Sequence, residues 1–228
     1  MSNLSLSTDS PYEPELGGFE NVDESNEAVN KTGTTTVGIA TDDGVAIATD
    51  MRASLGGRFV SSKDVQKVEQ IHPTAALTLV GSVGGAQSFI RTLRAEASLY
   101  ETRRGRPMDI PALATLAGNF ARGGPFRAIR PILGGVDDEG SHVYTLDPAG
   151  GVMTDDYTVT GSGTQLAYGV LENDYEEGLP VEDATSLAAR AVEAAVERDT
   201  GSGNGVYLAT VTGEGVDIRG HEDFNEVR

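Results

Sequence analysis

Cysteine is absent from the chain, which excludes disulfides, thiolate metal sites and cysteine nucleophiles together. Histidine is nearly absent. His72, His142 and His221 are the only three, and none has the setting of a hydrolase triad. No Gly-x-Ser-x-Gly elbow and no His-Glu-x-x-His helix occurs, so the common serine and zinc hydrolase signatures are missing. No apolar run approaches the roughly 20 residues of a membrane span, and the first residues lack the basic start and apolar core of a signal peptide. A soluble, cytoplasmic protein is expected. Its 228 residues suit one domain able to bury its own core.

Positive charge is also in short supply. Lysine and arginine together number 17 against 35 acidic residues, a net charge of -18, which argues against a nucleic-acid surface or an anionic membrane as partner. Lysine is confined to Lys31, Lys63 and Lys67. An acidic, lysine-poor surface suits a high-salt cytoplasm, where a screening length of about 3 Å at 1 M suppresses self-repulsion. A lysine kept in the interior of such a protein calls for a reason.

What is present begins with an acidic stretch. Residues 1–33 carry Asp9, Glu13, Glu15, Glu20, Asp23, Glu24 and Glu27 against Lys31, with no sustained apolar period, the pattern of a flexible leader. From Thr34 strand chemistry takes over. Residues 35–40 and 45–49 form a hairpin about Asp42-Asp43-Gly44. Residues 59–62, 67–71 and 75–80 read as further strands, the last running into Gly81-Ser82-Val83-Gly84-Gly85, where Gly84-Gly85 reads as a tight turn. One helix carries Phe89, Ile90, Leu93, Ala97 and Tyr100 at helical spacing and stops near Gly105; a second starts at Asp109 with Pro111 in its first turn. Strands return at 129–136, 142–146, 151–154 and 157–160, helices at 165–173 and 181–198, and a last strand at 206–211. This order predicts an α+β fold: a four-layer αββα sandwich of two antiparallel sheets, each outer face covered by a helix pair.

The junction Thr32-Gly33-Thr34-Thr35-Thr36 is the candidate reactive point. Threonine is a weak nucleophile unless a base lies within hydrogen-bond reach, and cleavage of the Gly33–Thr34 bond would give Thr34 a free α-amine beside its own hydroxyl. Such an amine titrates at about 7.7 to 8.0, near working pH, and a well-placed general base is worth roughly 10² to 10⁴ in rate. A Gly-Thr pair before a strand is, by itself, ordinary turn chemistry.

A longer pattern surrounds it. Thr34-Thr35-Thr36-Val37-Gly38-Ile39, Ala48-Thr49-Asp50, Lys67-Val68, Val80-Gly81, Thr160-Gly161-Ser162-Gly163 and Arg198-Asp199 resemble, in order, a proteasome β subunit of the archaeal kind. The match runs from Thr34 to about Val211, with one extra residue near Gly56-Gly57. That family belongs to the N-terminal-nucleophile hydrolases, whose four-layer sandwich agrees with the layer order above. The resemblance implies a threonine-type endopeptidase in which Thr34 Oγ attacks the scissile carbonyl. Asp50 would balance and hold the charge of Lys67, while the Gly81 N–H would stabilise the oxyanion. Asp199 and Ser202 would orient the amine, with Ser162 bonded nearby.

The same resemblance places Ala53, Val65, Leu79 and Val83 around an apolar pocket, implying chymotrypsin-like cleavage after large hydrophobic residues. Residues 1–33 become a propeptide removed by autocleavage between Gly33 and Thr34, leaving 34–228 as the catalytic domain. Neither cofactor nor metal is implied. The implied partners are proteasome α subunits, other β subunits in a seven-membered ring, an ATPase regulator acting through the α ring, and unfolded protein substrates. Thr200 and Gly201 depart from the residue types common in relatives, which leaves the shape of their loop open.

Plainer readings stand beside these. Lys67 shares strand parity with Lys63 and could be a solvated residue. Asp199 to Ser202 could be a helix stop with a glycine cap, and the four pocket residues could be core. For the whole chain the alternatives are an inactive structural β-ring subunit and a simpler bacterial-type threonine peptidase ring. The complete set Thr34, Asp50, Lys67 and Gly81 argues against the first. The long leader and the Arg198-Asp199 to Ser202 segment argue against the second.

Overall fold

A computed structural model describes residues 33–55, 57–123, 126 and 128–227. The expected leader, apart from Gly33, and Gly56 of the expected insertion lie outside the described residues. The chain order is β1 (Thr35–Ala40), β2 (Val45–Asp50), β3 (Ala53–Leu55), β4 (Phe59–Ser62), β5 (Val68–His72) and β6 (Ala75–Thr78), then α1 (Val83–Arg104) and α2 (Ile110–Ala121). It continues with β7 (Ile132–Asp137), β8 (Gly140–Leu146), β9 (Val152–Thr154), β10 (Tyr157–Gly161), α3 (Thr164–Asp174), α4 (Val181–Val196), β11 (Val206–Thr212) and β12 (Gly215–His221). The architecture is α+β. One antiparallel sheet has the order β10-β1-β2-β11-β12, a second β5-β6-β7-β8-β9, and β3 pairs with β4 in a separate hairpin.

Strand alternation sorts three apolar layers. From β1 and β2, Val37, Ile39, Ala46 and Ala48 join Leu171 of α3 and Ala184, Leu187, Ala188, Ala191 and Val192 of α4. Alanine at helical spacing on α4 lets that helix lie close to the sheet. Intervening residues point the other way, so that Val45 and Ile47 meet Ala76, Ile132, Val143, Ala209 and Val211 between the sheets. On the far side of the second sheet, Leu77, Leu133 and Leu146 bury against Phe89, Leu93, Ile110 and Leu113 of α1 and α2. The α4 N-terminus is tied to the first hairpin, since the Val181 N–H donates to Asp43 Oδ1 at 3.0 Å. Glu182 and Asp183 in its first turn complement the helix dipole.

Three boundaries and two strands differ from expectation. Gly84-Gly85 is the first turn of α1 rather than a tight turn, because Ser82 caps the helix by accepting the Gly85 N–H at 3.4 Å. The strand expected from 129 begins at Ile132; Pro131 has no N–H to give a ladder, and Ile129 makes only an isolated bridge to Gly81. α4 stops at Val196 instead of 198, where Arg198 N–H turns inward to Ala195 O. Two strands went unforeseen: β3, three residues long, and β12, whose Val216 and Ile218 alternate with Asp217 and Arg219.

The sheets approach closely where glycine permits it. A Cβ at Gly134 would lie 2.8 Å from Val45 Cγ1 and 2.9 Å from Ile47 Cδ1, while one at Gly38 would lie 2.9 Å from Ile132 Cγ2. Gly134→Val should therefore overpack the layer between the sheets and cost about 1 to 3 kcal/mol, read as a lowered urea midpoint. An unchanged midpoint would show that the sheets can separate without loss.

Candidate active site

Antiparallel pairing brings the ends of several strands to one edge. Thr34 precedes β1, Asp50 ends β2, Gly161 at the end of β10 pairs with Thr35, and Val206 at the start of β11 pairs with Asp50. Lys67 precedes β5 of the second sheet, and Gly81 follows β6. The fold thus collects residues that the sequence spreads over more than half the chain.

At the centre lies a buried ion pair. Lys67 Nζ is 2.7 Å from Asp50 Oδ1, with side-chain exposures of 5% and 0%. Asp50 Oδ1 also accepts the Thr35 N–H at 3.0 Å, and Oδ2 accepts the N–H groups of Arg52 at 3.0 Å and Gly203 at 2.8 Å. Four donors therefore converge on one carboxylate, the condition under which a charge is tolerated in the interior. Burial pushes Lys67 below the ordinary lysine range, against the pull of Asp50 and Asp199, with the Arg52 charge adding to the lowering. Burial likewise raises Asp50, opposed by Lys67 and by the Thr35 and Gly203 N–H groups.

The second donor contact of Lys67 is to Thr34. Its Nζ lies 3.1 Å from Thr34 Oγ, and that hydroxyl donates in turn to the Gly33 carbonyl oxygen at 2.6 Å. Thr34 is 3% exposed. Its N–H donates to Ser162 Oγ at 3.1 Å, and its carbonyl accepts the Ser162 N–H at 2.7 Å. Three elements thereby fix both sides of the residue.

A second polar cluster backs the first. Asp199 Oδ2 accepts from Ser162 Oγ and from Ser202 Oγ, each at 2.6 Å, and Asp199 Oδ1 accepts the Gly201 N–H at 3.1 Å. Ser202 Oγ lies 2.8 Å from Thr35 Oγ. A hydroxyl has one proton to give, so with that of Ser202 committed to Asp199, Thr35 is the donor. Thr35 had no role in the sequence reading. Nor did Arg52, whose Nε donates to Asn204 Oδ1 at 2.9 Å and whose Nη1 donates to Thr200 O at 3.3 Å, pinning the 199–205 loop. The repeated threonines at 34 to 36 and the arginine two residues beyond Asp50 were visible signals, but nothing in their spacing gave them partners.

A cavity of about 390 Å³ opens beside Thr34. Ala53, Val65, Leu79, Gly81 and Val83 all line it, so the geometry brings the four expected pocket residues together. The lining is not wholly apolar. Gln66, Glu69, Gln87, Arg91 and Arg94 contribute too, with Arg94 Nη2 paired to Glu69 Oε2 at 2.8 Å. Gly81 has φ +94°, and a Cβ there would meet Ala128 O at 2.0 Å. Only glycine allows the chain to turn along the cavity wall at this point.

The histidines stay outside this arrangement: His142 pairs with Asp137 at 3.0 Å, His221 with Glu226 at 3.1 Å, and His72 Nδ1 accepts the Thr74 N–H at 3.3 Å. Among the described residues no group of three or more His, Cys, Asp or Glu is placed to hold a metal ion. No described helix is long and apolar enough to cross a membrane. The chemistry available at the site is that of a hydroxyl held beside an ammonium and an adjacent peptide carbonyl.

Comparison with known proteins gives this geometry a lineage. The family profile described as proteasome subunit matches residues 30–211. The chain is 78% identical to proteasome subunit beta 2 of Haloterrigena turkmenica over 221 residues, covering 96% of this chain and 93% of that one. It belongs to the proteasome β-subunit family. Proteasome subunit beta of Halomicrobium mukohataei is 71% identical over 231 residues, 100% of this chain and 96% of its own. Proteasome subunit beta of Natrialba magadii is 72% identical over 222 residues, 95% and 90% of the two chains. These proteasome β subunits come from halophilic archaea, in keeping with the net charge of -18 and the three lysines of this one.

The buried pair in this proteasome β chain makes an ordered prediction. Lys67→Met leaves Asp50 with its backbone donors only and should cost about 3 to 5 kcal/mol. Asp50→Ala strands the ammonium and three backbone N–H groups together and should cost more. Denaturant titration of both variants tests the order. Losses under about 1 kcal/mol for both, as for surface pairs, would contradict the burial described.

Proposed function

We propose that the chain is the precursor of a catalytic proteasome β subunit, a threonine-type endopeptidase whose nucleophile is Thr34. One observation carries the reading: Lys67 Nζ, Thr34 Oγ and the Gly33 carbonyl oxygen form a continuous hydrogen-bonded line of 3.1 and 2.6 Å. In the uncleaved chain the Thr34 nitrogen is an amide and cannot serve as a base. Thr34 Oγ attacks the Gly33 carbonyl carbon, the C–N bond breaks, and the proton lost by the hydroxyl ends on the released nitrogen. An ester and a free amine result. Water then splits the ester, leaving a Gly33 carboxylate on residues 1–33 and a free hydroxyl on Thr34.

The mature site repeats the chemistry on other chains. The Thr34 amine takes the hydroxyl proton, the Lys67 ammonium favours the developing alkoxide, and Asp50 holds that ammonium in place. The Gly81 N–H faces the oxyanion, a role worth roughly 10² to 10³ in kcat. Ser162, Ser202 and Asp199 keep the amine oriented. Ala53, Val65, Leu79 and Val83 receive the side chain before the cut, favouring large hydrophobic residues, while Glu69 and Arg94 leave polar groups along the same cavity.

The apolar layer between the sheets and one on each outer face support the four-layer αββα arrangement of N-terminal-nucleophile hydrolases. In the assembled particle the chain sits in a seven-membered β ring capped by α subunits, in the cytoplasm. An ATPase regulator acting through the α ring delivers unfolded proteins to the enclosed threonines. The intact set of Thr34, Asp50, Lys67 and Gly81 favours this over an inactive ring subunit.

Thr34→Ala should retain residues 1–33 by intact mass and abolish peptide hydrolysis; turnover above a few per cent of wild type, expressed per assembled chain, would refute Thr34 as the nucleophile. The processed enzyme should gain rate as pH rises through about 7.7 to 8.0, where a terminal amine loses its proton and becomes a base. A pH-rate profile flat across that range would contradict the amine's role.

A further inference from the structure

We infer that Ser54 and Gly201 form a clasp that seats Gly33 for removal of the leader, an inference resting on the maturation reading above. Ser54 is 1% exposed, lies in β3 next to the cavity residue Ala53, and was not among the residues expected from the sequence. Its Oγ accepts the Gly33 N–H at 3.2 Å and lies 3.4 Å from the Gly201 carbonyl oxygen, to which it donates. One hydroxyl therefore joins the last leader residue to the loop after α4. That loop is itself held: the Gly201 N–H binds Asp199 Oδ1 at 3.1 Å.

The two glycines meet backbone to backbone. A Cβ on Gly33 would fall 2.1 Å from Gly201 Cα and 2.9 Å from Gly201 O. A Cβ on Gly201 would fall 2.4 Å from Gly33 Cα. Neither side of the contact has room for a methyl group, and neither obstacle is a flexible side chain that could swing away. This gives the glycine at 201 a physical reason. With its N–H on Ser54, its carbonyl oxygen on Thr34 Oγ and its Cα against Gly201, Gly33 is fixed on three sides. The hydroxyl oxygen is thereby kept against the carbonyl group it must attack, and such pre-positioning lowers the barrier.

The clasp acts on the first cleavage only. Once residues 1–33 depart, the Gly33 contacts no longer exist, and Ser54 is a positioning residue without a direct part in later hydrolysis. Leader release and peptide hydrolysis should therefore respond differently to its loss. In full-length chain assembled into particles, leader release is followed by intact mass, and peptide hydrolysis is expressed per processed chain. Ser54→Ala should slow leader release about tenfold, the effect of losing one buried hydrogen bond at the reacting peptide, with hydrolysis per processed chain within about twofold of wild type. Ser54→Thr keeps the hydroxyl and should restore release. Gly201→Ala should slow release as well, and carries the test alone if Ser54→Ala fails to assemble. Release at the wild-type rate in Ser54→Ala, or in Gly201→Ala should it stand alone, overturns the clasp. A Ser54→Ala loss shared equally by release and hydrolysis also overturns it. A wild-type chain that assembles and never sheds residues 1–33 defeats instead the maturation reading.

Discussion

A single buried charge pair sets the terms for the rest of the molecule. An ammonium and a carboxylate can share an interior only if each is paired and its remaining hydrogen-bonding capacity is met. Asp50 meets that demand with Lys67 and three backbone N–H groups drawn from β1, the turn after β2 and the loop after α4. The need to complete its shell thereby fixes the positions of three separate chain segments. The same geometry lets Lys67 Nζ also reach Thr34 Oγ, so the constraint that holds the strand ends together also positions that hydroxyl.

Around this pair the protein uses small residues to bring backbones together and hydroxyls to link them. Glycine at 38 and 134 lets the sheets close, and glycine at 33 and 201 lets two chain segments touch. Thr35, Ser202, Ser162 and Asp199 then form a network in which Thr35 donates to Ser202 and both serine hydroxyls donate to Asp199. Such a network is rigid because a displaced member would leave a buried polar group unpaired. That rigidity holds the Thr34 hydroxyl in one place between Lys67 and the Gly33 carbonyl.

Much of the fold was legible because its strands and helices carry their own periodicity. β1, β2, α2 and β10 fell within a residue or so of expectation, since apolar runs there are bounded by glycine, proline or acidic turns. β12 was missed because Val216 and Ile218 alternate with charge over too short a span and the strand lies at a sheet edge, where burial does not enforce the pattern. The start of α1 was misplaced because glycine reads as a breaker in sequence, while the Ser82 cap makes Gly84-Gly85 helical. At the site, resemblance named Thr34, Asp50, Lys67, Gly81, Ser162, Asp199 and Ser202, whereas Thr35, Arg52 and Ser54 carry no local signal of their contacts with Ser202, Thr200 and Gly201, which lie 167, 148 and 147 residues further along the chain.

Composition, periodicity and motif order by themselves determined an acidic, cysteine-free α+β chain of the proteasome β kind with a glycine-threonine junction just before its first strand. They could do so because turn chemistry, strand alternation and helix spacing are local properties, written within a few residues of each element. Tertiary structure supplied the physical reason that Lys67, which strand parity does not separate from Lys63, is buried: it meets Asp50 across the two sheets. It alone set Gly201 against Gly33, because the approach of two backbones depends on the packing of whole layers and leaves no periodic trace in the residues that make it.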